Sequence, residues 1–250
     1  MYLLIRLLGA SVGSFINAFA YRWPRGESLV KKRSHCPSCK RQLRMQDLIP
    51  VLSFLGLRGK CQSCKSTIPV SYFVVELFMA ASYGMLFYHY GATLSFVHAV
   101  ILLTLLVTCA EVDRQTGLIP NIVLFVGAIS ALILSVVNNG LHTVVPLLFA
   151  AGSASVMLFL IRHAWFILTT RPGFGMGDIK LIGVICLFIG WNGLWAFYLA
   201  ALVGAFIGLT GMAIGYWKRD ARMPFAPALA LGTIAAIIFP FSTATSLIWA

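Results

Sequence analysis

Apolar stretches of about 20 residues recur along this chain, and they constrain its fold more than any other feature of its sequence. Hydrophobic residues make up 60% of the 250 residues, and charged residues make up 10%. A stretch of this length crosses a hydrocarbon core of about 30 Å as an α-helix. The sequence therefore predicts an all-α polytopic membrane protein with about eight spans, at residues 2–21, 71–90, 94–112, 118–137, 142–161, 179–191, 193–216 and 227–249.

The first apolar stretch continues into GSFINAFAYRWP without a small-residue cleavage site, so we expect no removable signal peptide. The sixth predicted span is short, and we expect it to be tilted or partly re-entrant.

The basic residues predict the orientation in the membrane. Eleven of the 19 Lys and Arg residues fall between Arg22 and Lys65. When eight spans are threaded from an outer N-terminus, every basic residue beyond the first span lies on one side, which the positive-inside rule makes cytoplasmic. A formal net charge of +12 is thus explained by topology and by attraction to anionic lipid of the bilayer, and it does not require a nucleic-acid partner.

Four cysteines in the loop at about residues 22–70 predict a metal site. HCPSCK contains Cys36 and Cys39, and GKCQSCK contains Cys61 and Cys64. Two CxxC pairs with a spacer of about 20 residues are typical of a closed four-thiolate zinc knuckle. Disulfides are the alternative, but a cytoplasmic loop is reducing. Cys109 and Cys186 lie in predicted spans, where we expect them to pack as small apolar residues.

Acidic residues are rare in this chain, and four of its seven lie in or at the ends of predicted spans: Glu76, Glu111, Asp113 and Asp178. Charge is costly there, so each is a candidate for a functional role. Asp113 ends the third predicted span and Asp178 begins the sixth, which puts both at the cytoplasmic membrane edge. Either also has a simpler interpretation, since Asp178 could cap a helix and Asp113 could pair with Arg114.

Taken together, the two aspartates favour chemistry. Two carboxylates that lie close together cannot both ionise cheaply, so one retains a proton. The ionised carboxylate can then take a proton from water while the protonated one polarises a carbonyl, which is the chemistry of aspartyl proteases. A transporter that binds a cation or proton between the two acids is the main alternative, and a zinc-loop scaffold without chemistry is another.

Several segments of the sequence favour the aspartyl protease over the transporter and the scaffold. Gly175-Met176-Gly177-Asp178 resembles the signature of the GxGD intramembrane aspartyl proteases. GSFINAFAYRWP, the two CxxC pairs, DLIPVLSFLGLRGKC, VDRQTGLIPN, GMGDIKLIG and MPFAPALALG together resemble the type IV prepilin peptidases over most of the chain. Two departures are Ala226 and Cys186, which stand where the family often has glycine. We expect neither to contact an aspartate.

The resemblance implies a bifunctional enzyme of the bacterial inner membrane. Its members remove the short basic leader of type IV prepilins or type II secretion pseudopilins at the cytoplasmic face, just after a glycine. They then methylate the new N-terminus with S-adenosylmethionine. The peptidase pair would be Asp113 and Asp178, and Gly175 and Gly177 would let the substrate backbone approach closely.

Methyl transfer is assigned by the resemblance to the N-terminal part of the chain, and no glycine-rich adenosyl-binding loop is visible in the sequence. We expect residues 1–70 to form a methyltransferase-associated region and residues 71–250 a transmembrane peptidase core. Gly59 and Lys60 match a segment associated with methylation. Glu76 is a candidate for contacting the freed α-amino group, or alternatively an interfacial acid neutralised by the basic loop. Asn17 and Arg22 complete the predicted set.

Overall fold

The computed structural model describes residues 1–29, 34–170, 174–215, 224–239 and 241. Arg171, Gly173, Lys218, Arg219 and Arg222 therefore lie outside the described residues. Within the described ranges the chain forms nine α-helices: α1 (Tyr2–Arg22), α2 (Leu52–Gly56), α3 (Val70–Tyr90), α4 (Leu94–Thr116), α5 (Asn121–Asn139), α6 (Val144–Thr169), α7 (Met176–Ile189), α8 (Asn192–Ala213) and α9 (Ala226–Ile238). The all-α prediction is confirmed.

The chain divides into two compact units, Met1–Phe96 and Val97–Ala250. The first is built on a close pair of helices, α1 and α3. Gly9 and Gly13 of α1 have the spacing that lets two membrane helices approach closely. A Cβ added at Gly13 would lie 2.8 Å from Cα of Glu76, and one at Gly9 would lie 2.5 Å from the Met79 carbonyl oxygen. The absence of these side chains therefore brings α1 and α3 into backbone contact.

The loop between α1 and α3 contains the four cysteines and three short helical elements, which are α2 and the 3-10 helices Trp23–Arg25 and Met45–Leu48. The second 3-10 helix, Met45–Leu48, packs against α2. One stacked aromatic pair, Phe54 of α2 and Phe73 of α3, has ring centroids 5.1 Å apart. Such a pair contributes about 0.5 to 1.5 kcal/mol beyond its burial, so it fixes α2 against the start of α3.

The second unit is built around α7, which packs against α5, α6 and α8. Every residue of α7 from Ile179 to Ile189 except Lys180 is buried. A helix that is apolar on all sides is covered either by lipid or by other helices, and the burial of α7 shows that neighbouring helices cover it. Its 14 residues give a length of about 21 Å.

The last two described helices, α8 and α9, form another close pair in this unit. A Cβ added at Gly232 of α9 would meet the Ala196 carbonyl oxygen and the Ala200 backbone nitrogen of α8. Small residues on both helices therefore allow the approach.

Six helices in the described part of the chain are long and apolar enough to span a membrane: Tyr2–Arg25, Val70–Tyr90, Leu94–Thr116, Asn121–Asn139, Leu141–Thr169 and Asn192–Ala213. The protein is thus a multi-pass membrane protein. The predicted sixth span corresponds to α7, and the eighth to α9, which has 13 described residues. Both are shorter than the length needed to cross alone, so a count of eight spans stays a prediction.

Candidate functional site

Asp113 lies in the last turn of α4, which extends to Thr116 and so runs one turn beyond the predicted end of this span. Its side chain is buried, with 7% of its surface exposed. Oδ2 accepts a hydrogen bond of 2.9 Å from the backbone N–H of Ala226, the first residue of α9. The expectation that Ala226 does not contact an aspartate was therefore wrong. The contact uses the backbone, which alanine and glycine share, so the departure from the family pattern leaves it intact.

Arg114, the neighbour of Asp113, pairs with Glu111. The Arg114 guanidinium donates to both carboxylate oxygens of Glu111, at 2.9 Å through Nε and 2.5 Å through Nη2. Gln115 adds a hydrogen bond of 2.8 Å to the same carboxylate. Glu111 is buried, and this network satisfies its charge two residues before Asp113.

Asp178 is the third residue of α7, where it is buried beside the start of the helix. Its Oδ2 accepts a hydrogen bond of 2.9 Å from the backbone N–H of Gly175, the residue that precedes the helix. A carboxylate in the first turn also interacts favourably with the helix dipole. Asp178 therefore does cap α7, although it acts from the third helical position and not from the position before the helix.

Asp113 lies close enough to Asp178 for its charge to disfavour the ionised form of Asp178. Each is held by one backbone N–H that lies just before or at the start of a helix, Gly175 for Asp178 and Ala226 for Asp113. The two carboxylates, 65 positions apart in the sequence, are thus each held at the start of a helix in the same unit, and their action as a pair stays a prediction.

Three phenylalanine rings, which we call the aromatic ladder, connect the segments that contain the two backbone donors, Gly175 and Ala226. Phe174 directly precedes Gly175, and Phe225 directly precedes Ala226. Phe197 of α8 contacts both rings, with centroid distances of 6.0 Å to Phe174 and 5.9 Å to Phe225. Its position therefore sets the spacing between the segments that hold the two carboxylates.

Further contacts fix the segment before α7. The Nε of Arg162, on α6, donates a hydrogen bond of 3.0 Å to the Phe174 carbonyl oxygen. A Cβ added at Gly175 would lie 3.1 Å from Oδ2 of Asp178, and one at Gly177 would lie 3.1 Å from Cβ of Ile119. Both glycines are thus explained by packing within the chain, and their role toward a substrate backbone stays a prediction.

The four predicted metal ligands come together in the first unit. The Sγ atoms of Cys36, Cys39, Cys61 and Cys64 all lie within 4.8 Å of one another. All six cysteines, each in the described part of the chain, are free thiols. Tetrahedral zinc with Zn–S bonds of about 2.3 Å has S–S edges of about 3.8 Å. The Cys36–Cys64 distance of 3.8 Å matches this edge, so the donor set and its geometry fit a zinc ion.

The two cysteine turns have the same backbone design. In each, the N–H of the residue after the second cysteine donates to the carbonyl of the first, as in Lys40 to Cys36 and Lys65 to Cys61. Both lysines have a positive φ, 58° and 57°, which completes the turn. The Cys39 backbone N–H lowers the pKa of the Cys36 thiol to about 6, against the effect of burial, and so favours a thiolate ligand.

Arg41 joins the two cysteine turns from outside. Its guanidinium donates to Ser63 Oγ at 2.6 Å and to Gln62 Oε1 at 2.9 Å, and it lies 3.4 Å from the Asp47 carboxylate. Ser63 and Gln62 stand between Cys61 and Cys64, whereas Arg41 follows Cys39. These contacts hold the two halves of the cluster together.

Two of the residues predicted for methyl transfer, Asn17 of α1 and Glu76 of α3, lie on helices that pack closely against each other. Asn17 is buried, with 2% of its surface exposed, and its Nδ2 donates to the Tyr72 carbonyl at 3.1 Å. Its Oδ1 is buried and accepts no hydrogen bond from the described residues. Glu76 follows Tyr72 by one turn of α3 and is also buried. An unsatisfied buried acceptor such as Asn17 Oδ1 can receive a hydrogen bond from a donor of a bound ligand.

Glu76 also holds a strained turn. Its Oε2 accepts a hydrogen bond of 2.7 Å from the backbone N–H of Val51. Val51 has φ 64° and ψ −53°, and the Leu52 N–H donates to the Pro50 carbonyl at 2.6 Å, which makes a γ-turn with positive φ. This conformation costs a β-branched residue about 1 to 3 kcal/mol. Strain of this size persists only where the surrounding contacts impose it, and Glu76 provides one of them.

The other three predicted methyl-transfer residues are Arg22, at the end of α1, and Gly59 and Lys60, which follow α2. Gly59 has φ 66°, and a Cβ there would lie 3.0 Å from the Phe54 ring. Lys60 is exposed and forms a β-bridge with Thr67. The buried Arg22 guanidinium donates to the carbonyls of Ser28 and Leu29, at 3.4 Å and 3.3 Å. Gly59 packs against Phe54 of α2, and Val51, the residue before α2, donates to Glu76. The hydrogen bonds of Arg22 instead fix the residues that follow α1.

Comparison with known proteins covers nearly the whole chain. Residues 7–90 match the model of the bacterial peptidase A24 N-terminal domain, and residues 100–215 match the model of the type IV leader peptidase family. A prepilin leader peptidase/N-methyltransferase from Bacillus subtilis is 33% identical over 243 residues, which is 96% of this chain and 94% of the relative. Relatives of the same name from Legionella pneumophila and Pseudomonas aeruginosa are 28% and 29% identical. They cover 96% and 93% of this chain, and 91% and 88% of their own lengths. No solved structure matches the chain significantly.

Proposed function

Since the chain belongs to the type IV leader peptidase family, we propose that it cleaves the leader from type IV prepilins or type II secretion pseudopilins and methylates the new N-terminus. The curated relatives that span nearly the whole chain carry a name with both activities. Cleavage belongs to Asp113 and Asp178, and methyl transfer to the N-terminal unit.

The observation that supports the peptidase most directly is the pair of backbone hydrogen bonds to the two aspartates. Gly175 and Ala226 each donate to an Oδ2 atom, at 2.9 Å in both cases. A carboxylate that is fixed through one oxygen keeps its other oxygen for a substrate or a water molecule. We therefore assign one oxygen of each aspartate to a structural role and the other to chemistry.

The proposed chemistry is hydrolysis of one peptide bond by water. The mutual repulsion of the carboxylates favours a pair that holds a single proton. The ionised aspartate takes a proton from water as the oxygen attacks the carbonyl carbon, while the protonated aspartate donates a hydrogen bond to the carbonyl oxygen. The C–N bond then breaks, its nitrogen takes up the transferred proton, and the pair returns to one shared proton.

The positive-inside rule supports a cytoplasmic location for the four-cysteine loop and for both aspartates in a bacterial inner membrane. A prepilin has a basic leader and an apolar helix, so its scissile bond lies next to the membrane. The topology also predicts seven basic residues of this chain on the cytoplasmic side: Arg41, Arg44, Arg58, Lys60, Lys65, Arg114 and Lys180.

Methyl transfer is supported by Glu76 and Asn17. S-adenosylmethionine supplies an electrophilic methyl group when it is bound. The Glu76 carboxylate and the Asn17 Oδ1 atom, which accepts no hydrogen bond from the described residues, would orient a cationic or amine group in this unit. Glu76 is the residue that we assign to the freed α-amino group, since an acid attracts and orients an amine donor.

Zinc at the four cysteines has a structural role in this proposal. The loop between α1 and α3 is too small to form a large core, and a closed thiolate site stabilises such a segment. Residues 61–64 follow Gly59, which packs on α2, so the metal also stabilises the chain that leads to Glu76.

The test is a reconstituted reaction. The full-length protein in lipid vesicles is incubated with a full-length prepilin and S-adenosylmethionine, and the pilin N-terminus is read by mass spectrometry. We expect cleavage after a glycine and the mass increase of one methyl group. An uncut prepilin would refute the peptidase, and a cut but unmethylated pilin would refute the second activity. A prepilin whose glycine before the cleavage site is replaced by a bulky residue is the matched control.

A further inference from the structure

An exposed apolar segment lies in the loop between α1 and α3. Residues 45–57, which we call the apolar segment, include the 3-10 helix at Met45–Leu48 and helix α2. Large apolar side chains of this segment are exposed, namely Met45, Leu48, Ile49, Leu52 and Leu55, with Leu52 at 64% and Leu55 at 57%. Exposed apolar side chains grouped in this way mark a surface that contacts something other than water.

The apolar side chains project from two short helical elements that pack on each other. Met45 and Leu48 are three residues apart in the 3-10 helix, and Leu52 and Leu55 are three residues apart in α2. Residues at this spacing lie on one side of either kind of helix. The opposite side of α2 carries Phe54, which stacks on Phe73. The apolar segment thus has an inner side against α3 and an outer side that is apolar.

Two contacts show where the apolar segment lies along the axis of α3. The 21 residues of α3 form a helix about 32 Å long, which is close to the thickness of a hydrocarbon core, so Val70 lies near the membrane surface. Phe73 and Glu76 follow Val70 by about 4.5 Å and 9 Å along the helix axis. Since Phe54 stacks on Phe73 and Val51 donates to Glu76, α2 lies beside the first two turns of a membrane span.

Basic residues flank the apolar segment. Arg44 directly precedes it, Arg58 directly follows it, and both are exposed. The single charge within the segment, Asp47, lies 3.4 Å from the Arg41 guanidinium. Apolar side chains between exposed arginines match the two layers of a bilayer surface, which are acyl chains and anionic headgroups.

We propose that the apolar segment is an interfacial anchor, in which Leu52 and Leu55 of α2 insert among acyl chains while Arg44 and Arg58 bind anionic headgroups. The anchor holds α2, and with it the Val51–Glu76 hydrogen bond, at the membrane surface. This proposal does not depend on either enzymatic activity, because it concerns the contact of one loop with lipid.

The test is photo-crosslinking of the full-length protein in nanodiscs. The photoreactive amino acid p-benzoylphenylalanine replaces Leu52 or Leu55, and in a control it replaces Ser38, which is exposed on the first cysteine turn. We expect lipid adducts, identified by mass spectrometry, at positions 52 and 55 and not at position 38. Cross-links from 52 and 55 to other parts of the protein, no adducts at these positions, or equal lipid adducts at all three would overturn the anchor.

A second arm tests the charge. Crosslinking at position 52 is compared in nanodiscs of phosphatidylglycerol and of phosphatidylcholine, with and without Arg44→Gln and Arg58→Gln. Each basic side chain near an anionic surface changes binding by about fivefold, so we expect more adduct in phosphatidylglycerol and loss of this preference in the double variant. The same yield in both lipids would overturn the assignment of the arginines to anionic headgroups.

Discussion

The backbone N–H of Ala226 donates a hydrogen bond of 2.9 Å to Oδ2 of Asp113. The two residues are 113 positions apart in the sequence and belong to α4 and α9 of the same unit. The contact means that the start of α9 helps to orient one of the two proposed catalytic carboxylates.

Replacement of Ala226 by proline tests this contact. Ala226→Pro removes the N–H at a helical position that proline can occupy, and it also disfavours the αR conformation of Phe225. A hydrogen bond to a charged group is worth about 1.5 to 3 kcal/mol, so we expect the rate of prepilin cleavage to fall by about 10- to 100-fold. The control is Ala226→Gly, which keeps the donor and should cleave at nearly the original rate. Cleavage by the proline variant at that same rate would show that the hydrogen bond does not orient Asp113 for catalysis.

The aromatic ladder predicts that Phe197 positions both carboxylates without contacting the substrate. Phe197→Ala removes the ring between Phe174 and Phe225. We expect kcat for cleavage to fall by about tenfold or more with little change in KM, because small displacements of reacting groups reduce the rate steeply. Phe197→Leu should recover part of kcat, since it restores apolar volume.

The matched control for the ladder is Phe206→Ala, an exposed phenylalanine on the same helix. It should leave kcat unchanged. A rise in KM without a fall in kcat for Phe197→Ala would mean that Phe197 contacts the substrate, which contradicts a positioning role.

Substitution of Glu76 is predicted to reduce methylation without abolishing cleavage. Glu76→Gln keeps an oxygen that can accept the Val51 hydrogen bond but removes the charge, whereas Glu76→Ala removes both. We expect both variants to cleave prepilin, and methylation to fall by about 10- to 100-fold in each, as for the loss of an ionic hydrogen bond. Mass spectrometry of the mature pilin measures both activities in one sample. Full methylation by Glu76→Gln would exclude a role for the charge.

The cysteine cluster is predicted to bind one zinc ion per chain. Cys36→Ser removes one of the four thiolates, and we expect purified protein to lose most of its zinc, because metal affinity depends on the complete ligand set. Cys109→Ser changes a buried cysteine outside the cluster and should retain zinc. Equal zinc content in the two variants, measured by atomic emission, would contradict the metal site.

Hydropathy and residue spacing predicted the membrane helices and the cysteine cluster, because both depend on local patterns. The boundaries were less accurate at α4, where the polar residues Arg114 to Thr116 continue the helix, and at α6, which continues to Thr169, eight residues past the predicted end of its span. Asp113 and Asp178 were recognised from the rarity of acids in apolar stretches. Gly175 was predicted only for approach to a substrate backbone, and its hydrogen bond to Asp178 and that of Ala226 to Asp113 were not predicted, since a backbone donor has no signature in the sequence.

The contacts that link distant segments were also missed. Phe197 is one of 18 phenylalanines, and no pattern distinguishes it before α8 is placed between Phe174 and Phe225. Val51 follows a proline in an apolar run, a setting that does not predict a positive φ for a β-branched residue. Its strain becomes visible only when Glu76 is seen to accept its N–H.

The central claim is that Asp113 and Asp178 together hydrolyse the leader peptide bond. The most direct measurement is the single-turnover cleavage rate of a full-length prepilin by reconstituted Asp113→Asn and Asp178→Asn, compared with Glu111→Gln, which alters a buried acid paired with Arg114. We predict that each asparagine variant loses at least about 100-fold in rate, the lower range for removal of an acid–base group, while Glu111→Gln cleaves. Cleavage at the unmodified rate by either asparagine variant would contradict the proposal.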